Sequence, residues 1–71
     1  MATPVEAPMV GKVLEVQVSV GDTVAEDDTV IVMEAMKMEI NVVAPVGGRV
    51  AEIRVAAGDA VETDQVLAVI E

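Results

Sequence analysis

The fold is decided by two stretches of the chain, residues 7–34 (APMVGKVLEVQVSVGDTVAEDDTVIVME) and residues 44–71 (APVGGRVAEIRVAAGDAVETDQVLAVIE). They align without a gap at an offset of 37 positions, and 12 of the 28 aligned residues are identical. The matches include Gly, Pro and Asp as well as Val, so a shared richness in Val does not explain them. The chain therefore contains an internal repeat.

Each repeat unit has the same order of strand and turn signals. In the first copy, apolar and polar residues alternate at 16–20, which predicts a strand with one buried face. Gly21-Asp22 predicts a turn, because Gly adopts positive φ and Asp bonds its own backbone. A short strand around Val24, an acidic turn at 26–28 and a last strand at 30–34 complete the unit. The acidic turn is expected to be solvated rather than to bind a cation, because no calcium-loop spacing surrounds it.

Composition favours an all-β fold. The 71 residues include 17 Val, 4 Ile and 2 Leu, and there is no Phe, Tyr or Trp. Side chains branched at Cβ fit a pleated, half-buried surface. The chain has no Cys and no His, which excludes a disulfide framework and thiolate metal sites. The core must therefore be built from aliphatic side chains alone.

Two units with one apolar face each can bury that face against each other. We therefore predict an all-β flattened barrel or sandwich (a barrel-sandwich hybrid) of two four-stranded antiparallel sheets with an internal pseudo-twofold repeat. The domain is expected to span 6–71, with repeat units 7–34 and 44–71 joined by a hairpin connector at 35–43. Residues 1–5 are expected to form a disordered tail or to be the remnant of a linker.

The net charge of −9 bears on the possible partners. Phosphate backbones and anionic membrane surfaces would be repelled, so nucleic-acid binding and membrane binding are not expected. No apolar run approaches the ~20 residues that a membrane-spanning helix needs. The first residues lack a basic region followed by an apolar stretch, so we expect no secretory signal and a cytoplasmic protein.

The connector at 35–43 has no counterpart in the repeat. Strand-like residues on both sides predict a tight hairpin with Met36-Lys37 near its apex, projecting from the end of the domain away from the termini. Neither residue is a preferred former of positive-φ turns, and such local exceptions tend to mark function. From spacing alone, Met36 and Met38 could equally be adaptable contact residues or ordinary packing beside the hairpin.

The segment Glu34-Ala35-Met36-Lys37-Met38 resembles the attachment motif of biotinyl domains, whose core reads Ala-Met-Lys-Met. The resemblance covers about residues 6–71 and includes the Gly-Asp-x-Val turns and both Ala-Pro pairs. It implies that biotin is covalently bound to Lys37 through an amide bond, and that Glu34, Ala35, Met36 and Met38 form the rest of the cofactor-binding segment. The gapless repeat leaves no room for the thumb insertion of some biotinyl domains.

The same resemblance implies a function. A biotin protein ligase would attach the cofactor, and the domain would then shuttle CO₂ as carboxybiotin from a biotin carboxylase to a carboxyltransferase or decarboxylase. The chain would be a non-catalytic carrier, because it contains no His, Cys or Tyr and no Ser beside a base. Two alternatives stay open: a lipoyl domain, which typically carries Asp-Lys-Ala at its tip, and an unmodified interaction module that uses the tip as a contact.

Overall fold

The computed structural model describes residues 2–71, which form strands and turns throughout. The strands are β1 (Thr3–Glu6), β2 (Gly11–Val16), β3 (Thr23–Val24), β4 (Thr29–Ala35), β5 (Met38–Val43), β6 (Gly48–Ile53), β7 (Ala60–Val61) and β8 (Val66–Ile70). Within these residues there is no helix that is long and apolar enough to span a bilayer. The all-β prediction is confirmed.

The strands form two four-stranded antiparallel sheets, ordered β1-β8-β6-β3 and β5-β4-β2-β7. The repeat relates strands of one sheet to strands of the other. At the offset of 37 residues, β2 and β4 of the second sheet correspond to β6 and β8 of the first, and β3 of the first sheet corresponds to β7 of the second. Strand β5 corresponds to β1 at the start of the chain, so the two sheets are copies in a circular sense. This topology confirms the predicted pseudo-twofold architecture.

The two repeats are interlocked rather than simply stacked. The short strand β7 of the second repeat pairs with β2 of the first, and β3 of the first pairs with β6 of the second. The Val13 amide donates to the Asp59 carbonyl and the Val50 amide donates to the Asp22 carbonyl, both at 2.8 Å. Each unit therefore needs the other to satisfy its own backbone.

The turn chemistry also recurs in both units. The Asp22 carboxylate accepts a hydrogen bond from the Ser19 amide, and the Asp59 carboxylate accepts one from the Ala56 amide, each at 2.9 Å. The predicted strand at 16–20 is wrong in position, because β2 begins at Gly11 and ends at Val16. The Ser19–Asp22 turn draws the chain out of the sheet before the alternation of apolar residues ends.

The prediction of a disordered tail at 1–5 is wrong for residues 3–5, which lie in β1. Strand β1 pairs with β8, and Val5 is buried opposite Ala68. The physical reason is the circular symmetry. Strand β8 hydrogen-bonds to β1 on its outer side, in the same way as β4 hydrogen-bonds to β5. Met1 lies outside the described residues, and the remaining domain boundaries stay a prediction.

The core lies between the sheets and consists of aliphatic side chains from matching positions of the two repeats. Val13 and Val50 are fully buried twins, and Met33 matches Ile70. Matching core positions can also differ in size: the large Ile31 of the first repeat corresponds to the small Ala68 of the second. No polar side chain of residues 2–71 is buried, so apolar packing alone stabilises this interior.

Two glycines set the distance between neighbouring strands. A Cβ added at Gly11 would collide with the Glu34 carbonyl oxygen and lie 2.7 Å from the Met33 Cε atom. A Cβ added at the twin position Gly48 would collide with the Glu71 carbonyl oxygen and lie 2.9 Å from the Ile70 Cγ2 atom. Both glycines therefore permit a backbone approach that no side chain would allow.

We predict that Gly11→Ala and Gly48→Ala each lower the free energy of unfolding by about 1–3 kcal/mol, because strands must shift to admit the methyl group. Thermal unfolding followed by circular dichroism should show a drop of several degrees. Gly47→Ala is the matched control, because its added Cβ would have its nearest neighbour at 3.6 Å, an ordinary contact. Equal melting temperatures for all three variants would contradict the prediction.

Candidate functional site

The connector forms a hairpin between β4 and β5, as predicted. Ala35 lies opposite Met38 and Glu34 lies opposite Glu39, so only two residues make the turn. Those residues are Met36 and Lys37, with φ values of 52° and 63°. Two successive residues in the left-handed region are the signature of a type I′ turn, which matches the twist of the flanking strands.

The turn conformation is unfavourable for its residue types. A side chain in the left-handed region costs about 1–2 kcal/mol, and Asn, Asp and Gly are the residues that adopt it readily. The other non-glycine residues of positive φ among residues 2–71 are Asp27 and Asp64, and Asp is a residue type that adopts this conformation readily. Met36 and Lys37 are therefore held in place by the surrounding pairing rather than by their own preference.

Packing on the inner face of the hairpin supplies that support. The β4–β5 ladder continues from the turn to the pair Ile31–Val42. Ala35, the last residue before the turn, is 3% exposed, and it has Gly11 of β2 beside it. Buried side chains therefore fix the register of the hairpin up to the base of the turn, which gives the lysine a defined position.

The side chains at the apex point into solvent. Met36 is 78% exposed, Met38 is 57% exposed and Lys37 is exposed between them. The packing interpretation of the two methionines is therefore wrong. Among residues 2–71 the one ion pair joins Arg54 to Glu52, at 2.6 Å, so no carboxylate of the described chain holds the Lys37 amine. This amine is therefore exposed to solvent and accessible to a partner.

Charged residues form a row across the sheet behind the turn. On β2, β4 and β5, Lys12 lies opposite Glu34, which in turn lies opposite Glu39. All three are exposed, and like charges directly opposite each other in a sheet are mildly destabilising. Glu34 thus has a cationic neighbour on one side and a carboxylate neighbour on the other, and all three charges lie on the exposed face of the sheet.

The five predicted site residues thus divide into three environments. Met36, Lys37 and Met38 come together at the exposed apex, Glu34 lies on the outer face, and Ala35 points into the core. Sequence reasoning missed Gly11, whose close approach to Glu34 and Ala35 depends on a strand pairing that no local pattern reveals. No group of three or more acidic side chains in the described part of the chain could hold a metal ion, and the acidic turn at 26–28 is exposed.

This fold and this hairpin define a class of small β domain with one exposed lysine at the apex of a two-residue turn. A family model described as "Biotin-requiring enzyme" matches residues 3–70. The chain belongs to this biotin and lipoyl attachment family, as a biotinyl domain. Biotin is the group that the family description names, and an accessible amine without a partner fits a group that is bound through an amide.

Similar proteins agree with this assignment. The chain is 50% identical over 42 residues to the biotin carboxyl carrier protein of Streptococcus mutans, which covers 59% of this chain and 32% of that protein. It is 51% identical over 43 residues to a biotinylated protein, the TB7.3 homologue of Mycolicibacterium smegmatis, covering 61% of each. The chain thus spans less than two thirds of the length of either relative.

A solved structure matches the whole fold. The crystal structure of Kluyveromyces lactis urea carboxylase superimposes with a TM-score of 0.95 at 37% sequence identity. The match covers 100% of this chain and 6% of the urea carboxylase chain. The same small β domain therefore occurs as a minor part of a large enzyme.

We predict that Met36→Asn raises the free energy of unfolding by about 1 kcal/mol, because Asn tolerates the left-handed conformation that Met36 adopts. Chemical denaturation of the purified domain measures the gain. Met38→Asn is the matched control, since Met38 is exposed but lies in a strand, where Asn brings no benefit. A Met36→Asn variant that unfolds as easily as the parent chain would show that the turn is not strained.

Proposed function

We propose that this chain is a biotin carboxyl carrier domain in which biotin is joined by an amide bond to Lys37. The observation that carries the proposal is the geometry of the apex: an exposed lysine between two exposed methionines, held in a left-handed turn by a hairpin of fixed register. The family match and the names of the two relatives support biotin over lipoate as the attached group.

Attachment requires an outside catalyst. A lysine amine in water is protonated at neutral pH, and an ammonium is not a nucleophile. In the proposed reaction, a base of the biotin protein ligase removes a proton from the Lys37 Nζ, which attacks a carboxyl carbon activated by ATP. The amide C–N bond forms, the bond to the activating group breaks, and the nitrogen releases a second proton. The domain contributes the position of Nζ.

The attached group and the domain then have separate tasks. When bound, biotin supplies a ring nitrogen that accepts and releases a carboxyl group. The chain contributes a rigid β scaffold, a flexible lysine side chain as the tether, and a protruding apex. Tethering raises the local concentration of the group at each partner enzyme without tight binding. The domain is proposed to be a substrate of enzymes rather than an enzyme.

The proposed partners are the ligase, a biotin carboxylase and a carboxyltransferase or decarboxylase. The urea carboxylase match supports an association with carboxylase components, because there the corresponding domain is part of one large chain. The acceptor of the carboxyl group would be selected by the partner enzyme. The cytoplasmic location stays a prediction.

We predict that Lys37→Arg abolishes modification by a biotin protein ligase supplied with biotin and ATP, because a guanidinium cannot form the amide under these conditions. Intact-mass spectrometry should show the parent chain gaining one biotinyl group and the variant gaining none. Lys12→Arg is the matched control, since Lys12 is the only other lysine and is also exposed. Modification that persists in Lys37→Arg and disappears in Lys12→Arg would reject the site.

Lipoate is tested in the same way. We expect a lipoate ligase supplied with lipoate and ATP to leave the parent mass unchanged. A lipoyl adduct on Lys37 in place of a biotinyl adduct would establish the lipoyl alternative. A chain that neither ligase modifies would support the unmodified interaction module.

We further predict that exchanging the two residues, Lys37→Met together with Met38→Lys, prevents biotinylation while the domain stays folded. The exchange moves the amine from the left-handed turn to the first residue of β5, so it leaves the apex. Mass spectrometry measures modification, and thermal unfolding confirms the fold. Normal biotinylation of the exchanged variant would show that position at the apex is not required.

A further inference from the structure

The repeat offers an internal comparison that separates structural side chains from those that serve only one end of the domain. A position that the core requires to be apolar is apolar in both copies, as Val13 and Val50 are. Val10 does not follow this rule. It is a 65% exposed aliphatic side chain, and its twin is Gly47. The fold is therefore satisfied without any side chain at this position.

Contacts at the twin position support this conclusion. A Cβ added at Gly47 would have its nearest neighbour, the Val24 carbonyl oxygen, at 3.6 Å, which is ordinary van der Waals contact. The site therefore tolerates a side chain without depending on one. Burial does not explain the valine at position 10 either, because exposed aliphatic surface is unfavourable in water.

Strand pairing places Val10 beside the lysine hairpin. Lys12 of β2 lies opposite Glu34 of β4, and the Cβ built on Gly11 is 3.1 Å from the Ala35 Cβ atom. Since β2 and β4 are antiparallel, the residue that precedes β2, Val10, lies toward the end of the sheet where the turn contains Lys37. Val10 also directly precedes β2, whose other neighbour is β7.

Val10, Met36 and Met38 are thus three exposed apolar side chains at the end of the domain that carries Lys37, and they are here named the tip face. Their exposed fractions are 65%, 78% and 57%. One other large aliphatic side chain among residues 2–71 is more than half exposed, Val20, which lies on the turn before β3, and β3 belongs to the other sheet. Three of the four most exposed large apolar side chains of these residues therefore lie at the end that carries the lysine.

Carboxylates outnumber cations near the tip face, where Lys12 of β2 lies opposite Glu34. Glu34 and Glu39 lie opposite each other on the hairpin, and Glu62 follows β7, on the far side of β2. The net charge of the chain is −9. A protein that covers this surface should therefore have an apolar centre and a cationic rim, which together would guide encounter and exclude water from the lysine.

We propose that Val10 is a contact residue for the ligase that acylates Lys37, and that it extends recognition from the hairpin to the neighbouring strand. This inference rests on the proposed function. The ligase docks on the tip face, with Val10, Met36 and Met38 against its apolar centre. Val10, which precedes β2, and the two methionines of the hairpin then contact different parts of the ligase. Contacts from both places fix the orientation of Lys37 in the ligase better than contacts from the hairpin alone.

The test compares matched valines. The unmodified chain, Val10→Ser, Val10→Ile and Val20→Ser are each supplied with a biotin protein ligase, biotin and ATP, and initial rates of acylation are followed by intact mass. Val20 is the control because it is 62% exposed, nearly the same as Val10. Val10→Ser should lower kcat/KM about tenfold, mainly through KM, which corresponds to the loss of one well-packed interface side chain. Val10→Ile and Val20→Ser should stay within twofold of the parent.

Melting curves of all variants keep the comparison valid. If Val10→Ser melts at a lower temperature, Val10→Thr replaces it, with Val20→Thr as its control, because Thr keeps the branching at Cβ and exchanges one methyl group for a hydroxyl. The same tenfold loss is expected. An equal rate for Val10→Thr and the parent would then overturn the inference.

Each remaining outcome decides a different question. A parent chain that is acylated at Lys37, with Val10→Ser acylated as fast, overturns the role of Val10 and leaves the proposed function intact. A parent chain that is not acylated overturns both. Equal losses for Val10→Ser and Val20→Ser overturn the docking surface, because any exposed valine would then have the same effect. A parent dimer in sedimentation that Val10→Ser dissociates, without a change in rate, would assign the tip face to a second copy of the chain.

Discussion

Neither half of this chain can complete its own sheet, and the rest of the structure depends on that constraint. The long strands β2 and β6 each obtain one neighbour from their own repeat and the other from the opposite repeat. Buried amide and carbonyl groups must be paired, so a single unit would leave one edge of its central strand open. The exchange of β3 and β7 closes both edges at once. It also brings the two apolar faces together, which in a chain without aromatic side chains or disulfides is the main source of stability.

The circular symmetry also relates the lysine hairpin to the pairing of β1 with β8. Strand β5 covers β4, and the chain reaches it through a two-residue turn. Strand β1 covers β8 in the same manner on the other sheet. The packing that holds β4 and β5 in register also fixes the position of Lys37.

The repeat in the sequence predicted two apolar-faced β units that pack against each other and a connecting hairpin with Met36 and Lys37 at its apex. Local pattern failed where tertiary pairing decides. The alternation at 16–20 marks a strand, but the Ser19–Asp22 hydrogen bond ends the strand early. Val5 was assigned to a tail because its partner, Ala68, lies at the other end of the chain. The proximity of Gly11 to Ala35 similarly depends on a non-local register. The role of Lys37 came from a motif, and geometry alone would have marked it only as an exposed amine in a strained turn.

The pairing of Thr3 with Ile70 has a consequence for how such a domain can be built into larger proteins. The start of β1 and the end of β8 are neighbours in one sheet. A larger protein can therefore contain the domain as an insertion that is joined by two adjacent connecting segments. These two connections take the place that the symmetry assigns to a second turn, so the β4–β5 hairpin is left unchanged. Joining the two ends and opening the backbone at another loop, such as 45–47, would give a permuted chain with the same sheets.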